Sequence, residues 1–110
     1  MALPRQLTSE EVREEFIKHL IKIAKEWDTA KGKTSLEKIE GAIFSTLAVL
    51  DGESVEFPPF IVAPNPDKSD RGFHEEQGEN WFPENLKAKV KYDISGNLHN
   101  TFGKLSRFLW

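Results

Sequence analysis

Over the first fifty residues, apolar side chains recur every three to four positions, the spacing of a helix with one buried face. Val12, Phe16, Leu20, Ile23 and Trp27 fall within about 80° on a helical wheel, with Ile17, Ile21 and Ala24 widening one flank. Ahead of them, Thr8-Ser9-Glu10-Glu11 has the form of a capping box, and Leu7 and Val12 stand where a hydrophobic staple would. Lys31-Gly32-Lys33 supplies the glycine and cations that a helix C-terminus favours. The first helix is therefore predicted over about residues 8–30.

Thr34-Ser35-Leu36-Glu37 repeats the capping box, and Leu36, Ile39, Ile43, Leu47 and Leu50 carry the helical period onward. Gly41 to Leu50 holds no charged residue, so burial on most sides is expected there. A second helix over about 35–51 competes with a hairpin in which Thr46–Leu50 turns at Asp51-Gly52 into Val55–Phe57. Asp-Gly serves either, and the good cap and continuous period favour the helix.

Beyond Phe57 the pattern changes. Pro58, Pro59, Pro64, Pro66 and Pro83 rule out a long regular element, and an irregular loop is expected over 57–89. Phe60–Ala63 reads as a short edge strand, with the alternating Lys89–Ile94 as its partner. Phe73, Trp81 and Phe82 should anchor the loop, with Trp81 buried and Asn80 held by hydrogen bonds to loop backbone. Ile94, Leu98, Phe102, Leu105 and Leu109 form a last stripe, giving a third helix over about 94–109 with Asp93 or Ser95 as its cap and Trp110 packed at its end. The expected fold is mainly α (α+β): a single domain, 1–110, of three helices around one core, with a short two-stranded element and a long ordered Pro-rich loop. Val12, Phe16, Leu20, Ile43, Leu47, Leu98, Phe102 and Leu105 should be buried together.

At 110 residues the chain is long enough for one core and little more. It has no cysteine, which excludes disulfides, thiolate metal sites and cysteine nucleophiles. No apolar run is long enough to span a bilayer and no signal peptide opens the chain, so a cytoplasmic protein without a membrane partner is expected. The formal charge of −3 speaks against nucleic acid. That charge is uneven: residues 34–85 are strongly acidic, while residues 86–110 are basic. The two parts can neutralise each other in the fold, or the acidic part can present itself to a basic partner. Lys87, Lys89 and Lys91, with Lys104 and Arg107, could form a small basic patch, although lysines on a strand more commonly protect an edge.

Chemistry concentrates in Phe73-His74-Glu75-Glu76-Gln77-Gly78-Glu79-Asn80-Trp81-Phe82-Pro83, where polar tips lie between aromatic anchors. His74 and Glu79, with Asp93 or His99, would supply nitrogen and oxygen ligands for a metal, at spacings that match no standard motif. His19 and His99 flank apolar stripes and read as structural. No Gly-x-Ser-x-Gly or phosphate-binding glycine run occurs, and no cofactor is implied.

Three blocks of the chain occur in a fixed order: Glu40-Gly41-Ala42-Ile43-Phe44-Ser45-Thr46-Leu47-Ala48-Val49-Leu50-Asp51-Gly52-Glu53-Ser54, then Gly78-Glu79-Asn80-Trp81-Phe82-Pro83, then Asp93-Ile94-Ser95-Gly96-Asn97-Leu98-His99. In this the chain resembles a family of small bacterial proteins with no assigned activity, over roughly residues 37–102. The resemblance implies a bacterial or phage origin and draws interest to Asp51, Glu53, Glu79, Asn80, Trp81, Asp93 and His99.

The expectation that follows is a small non-enzymatic binding or regulatory protein acting through a protein partner, in an accessory, inhibitor or immunity-type role, with self-association through exposed aromatics open to it. Its partner contacts would come from Asp51, Glu53, His74, Glu79, Asn80, Trp81, Asp93 and His99. The alternative is a small metal-assisted, hydrolase-like enzyme using His74, Glu79, Asp93 and His99.

Overall fold

The structure, a computed structural model, describes residues 3–84 and 90–109, with backbone alone at 109. It contains four helices: α1 (Ser9–Asp28), α2 (Ser35–Leu50), α3 (Asp70–Glu76) and α4 (Leu98–Leu109). The described residues form two compact units, one of Met1–Pro59 with Tyr92–Trp110 and one of Phe60–Lys91.

In the first unit α1 is the central element. Both α2 and α4 pack on it, and among the described residues they do not approach each other. Both long helices begin at the capping boxes. Thr8 accepts from the Glu11 amide while Glu11 accepts from the Thr8 amide, and Thr34 and Glu37 repeat the exchange at 3.0–3.1 Å. Arg5 clasps the Glu11 carboxylate at 2.7 and 2.8 Å. The Arg5 guanidinium and the Thr8 amide lower the Glu11 pKa from 4.5 to about 2. The Thr34 amide and hydroxyl lower that of Glu37 as well. A depressed folded-state pKa means that the stabilisation is complete above pH 4.5 and is lost as the pH falls toward 2. Helical circular dichroism and the urea midpoint should therefore both decline across that window. Arg5→Ala should raise the folded-state Glu11 pKa toward its ordinary value and so shrink this acid-dependent loss, leaving its onset in place.

At its C-terminus α2 closes with a Schellman motif. Glu53 N–H donates to the Ala48 carbonyl and Gly52 N–H to that of Val49, with Gly52 at φ +84°. Asp51-Gly52 thus ends a helix, and the competing hairpin does not form. The chain then returns over α1. The Phe57 ring meets Phe16 and His19 edge-on, and His19 Nδ1 lies 2.9 Å from a Glu56 carboxylate oxygen.

The core of the described residues is Phe16, Ile17, Ile21, Ile23 and Val49, each at most 5% exposed. Ile17 and Ile21, which the periodicity put on the flank of the α1 stripe, are as deeply buried as any residue, because helices cover α1 on two sides. Of the residues expected to be buried together only Phe16 is in this core: Val12, Leu20, Leu98 and Leu105 are half-buried, and Ile43, Leu47 and Phe102 are exposed. For α2 the reason lies in Trp27. Its indole occupies the space where a side chain at Gly41 would stand, and its Nε1–H donates to Ser45 Oγ at 3.0 Å. A ring of that size against α1 leaves room for small side chains only. The face of α2 that meets α1 therefore carries Gly41, Ala42, Ser45, Ala48 and Val49, and the large aliphatic stripe points away.

The expected two-stranded element is absent: among the described residues there is no strand. Phe60–Ala63 lies between prolines that lack amide donors, and its proposed partner is broken by Tyr92 at φ +59°. Lys89 lies outside the described residues, as do Lys87 of the basic patch and Trp110. The third expected helix begins at Leu98 rather than about 94. Gly96 sits at φ +103°, and the Asp93 carboxylate accepts from the Ser95 amide at 2.9 Å in a tight turn instead of capping a helix. Arg13 Nε donates to the Ile94 carbonyl at 2.8 Å and so holds this turn against α1.

The second unit contains an element missing from the sequence reading. The loop expected to be irregular includes α3, which also ends in a Schellman pattern, Glu79 N–H to the His74 carbonyl and Gly78 N–H to that of Glu75. No helix of the described residues is long and apolar enough to cross a membrane.

Candidate functional site

The largest chemical anomaly of the first unit is the outer face of α2. Leu36, Ile39, Ile43, Phe44 and Leu47 are all between 54% and 73% exposed. They are consecutive along one side of a well-capped helix, and from Gly41 onward no charged residue interrupts them. Single exposed apolar residues are ordinary, whereas a contiguous patch of this kind marks an interaction surface.

Around α3, His74 occupies the centre of a cluster in the second unit. Its Nε2 lies 3.2 Å from Asp70, one turn earlier, and its Nδ1 lies 3.7 Å from Glu79. Phe73 and Phe82 meet the imidazole edge-on at 5.5 and 6.2 Å. Asp70 Oδ2 and His74 Nδ1 are buried without a hydrogen-bond partner. Next to it, Arg71 pairs with Glu75 at 2.7 Å and lies 4.8 Å above the Trp81 ring. Asp70 and Arg71 were missed from sequence. The signal was present in the i,i+4 pairs Asp70/His74 and Arg71/Glu75, which only a helix brings together.

Trp81 is 44% exposed, not buried, and Asn80 is exposed with no side-chain hydrogen bond among the described residues. The indole is held by the guanidinium stacked on it rather than by a core. An exposed cation–π contact is worth about 0.5–1 kcal/mol. Trp81→Ala should therefore cost about 1 kcal/mol in a urea titration, well short of what a core indole would cost.

The remaining residues singled out from sequence are dispersed. Asp51 caps α2 and Glu53 follows it, both exposed. The Asp93 pKa is lowered by the hydrogen bonds from Ser95. His99 is exposed on α4, where it lines an open polar cleft with Arg13, Glu14, Asn100, Lys104 and Arg107. Among the described residues no group of three or more His, Asp or Glu side chains is placed to hold a metal ion. No protein-family model matches the chain, and neither the curated proteins nor the solved structures contain a match to it.

Proposed function

We propose that this chain is a small binding protein that acts through a protein partner seated on the outer face of α2. The observation that carries this reading is the exposure of five large apolar side chains along one helix face, in a unit whose core holds only five buried residues among those described. Covering such a face removes apolar surface from water at roughly 25 cal/mol per Å². The acidic composition of residues 34–57 gives that partner surface a charged surround.

A photo-crosslinking amino acid placed at Ile43 or Leu47, with exposed Lys22 on α1 as control, tests the reading. Crosslinks to protein, whether another chain or a second copy, should form from positions 43 and 47 and not from 22. Equal labelling at all three, or none at 43 and 47, refutes it.

A further inference from the structure

Resting on that reading, we infer that the partner of the α2 face is a second copy of this chain, paired α2 to α2 in antiparallel fashion about a two-fold axis at Ile43. The stripe is symmetric about that residue. Leu36 and Leu50 stand seven positions to either side of Ile43, and Ile39 and Leu47 stand four to either side. An antiparallel pair centred there sets Leu36 against Leu50, Ile39 against Leu47 and Ile43 against itself, with the larger Phe44 beside the axis set against the small Ala42. A closed two-fold dimer requires this self-complementarity, because the same patch must serve both copies.

Charge points to the same orientation. With the axis at Ile43, the N-terminal half of each α2, which carries Glu37 and Glu40, lies against the uncharged C-terminal half of the other, and the two helix dipoles run opposite. A parallel pair would instead bring Glu37 and Glu40 beside their own counterparts and align the two helix dipoles, both unfavourable. Area is adequate as well. The five exposed side chains present on the order of 500 Å² of apolar surface, at the upper end of what a monomer carries. A pair that covers them on both copies removes on the order of 1,000 Å² in total, the least that a specific interface needs.

Two measurements on the full chain decide the matter. Sedimentation equilibrium up to about 100 µM should give a mass near twice the chain's, and Ile43→Glu, which opposes two carboxylates at the axis, should return it to monomer with unchanged helical circular dichroism. The chain has no cysteine, so introduced ones report without background. Ile43→Cys should oxidise to a disulfide-linked dimer. Leu36→Cys should crosslink with Leu50→Cys in a mixture of the two variants and not with itself. A dimer in which Leu36→Cys crosslinks to itself overturns the antiparallel arrangement, and a dimer unaffected by Ile43→Glu overturns the α2 interface. A wild-type monomer overturns self-pairing. In that event an apolar fluorescent dye that binds the wild type and not Ile43→Glu leaves the binding-protein reading standing with a different partner. A dye that binds neither removes that reading too.

Discussion

Replacing Ile21 by alanine is expected to lower the stability of the chain by about 2–5 kcal/mol, a large part of what a domain of this size has. Ile21 is 2% exposed at the middle of α1, the helix against which both α2 and α4 pack. Its neighbours in the core are few, so a cavity there cannot be filled by a rearrangement of surplus apolar side chains. Ile21→Val, which removes one methylene, should cost about 0.5–1.5 kcal/mol. Urea unfolding followed by circular dichroism gives both values, and a loss under about 1 kcal/mol for the alanine variant would show that α1 is not the centre of the core.

Trp27→Ala should have a comparable effect, about 3–5 kcal/mol. The indole joins α1 to α2, filling the space over Gly41 and bonding to Ser45. A methyl group built at Gly41 would stand 2.5 Å from the ring carbons, so Gly41→Val should force the helices apart and cost about 1–3 kcal/mol. Ile43→Ala and Leu47→Ala, measured at concentrations where the chain is monomeric, should change stability by about 0.5 kcal/mol or less, as surface substitutions do. The contrast is diagnostic, since the reverse ranking would mean that the aliphatic stripe, and not the small-residue face, meets α1.

That ranking also shows where sequence reasoning succeeded and where it stopped. Both capping boxes and the glycine at position 52 announced the bounds of α1 and α2 closely, because caps are local chemistry between residues three or four apart. The hydrophobic period of α2 was equally legible, but periodicity does not say which neighbour meets which face. The preference for small residues under Trp27 is a tertiary matter and outweighed it. The shortness of α3 hid it, since seven residues hold too little apolar pattern to register. Asp93 had the right chemistry for a cap and used it two residues on, at Ser95, because Gly96 leaves the helical region. At the candidate site, His74 and Glu79 were read as candidate metal ligands, and they lie 3.7 Å apart because of a tight turn at Gly78, a proximity that spacing alone does not specify. The α2 face was read as interior, because a charge-free stretch looks the same in sequence whether it is covered by its own chain or by another.

The placement of α1 between two helices that do not touch each other also bears on the order in which the unit assembles. Residues 29–34 join α1 to α2, so this pair closes a short loop at small entropic cost. Before α4 can reach α1, everything from residue 51 to 97 must be looped out. The α1–α2 hairpin is thus the natural nucleus, and α4 a later arrival that can detach without disturbing it. In amide hydrogen exchange this asymmetry takes the form of two protection levels: a high one shared by the hairpin helices and a lower one for α4, held to the rest by its contacts with α1 and by the hydrogen bond from Arg13 to Ile94 at its approach.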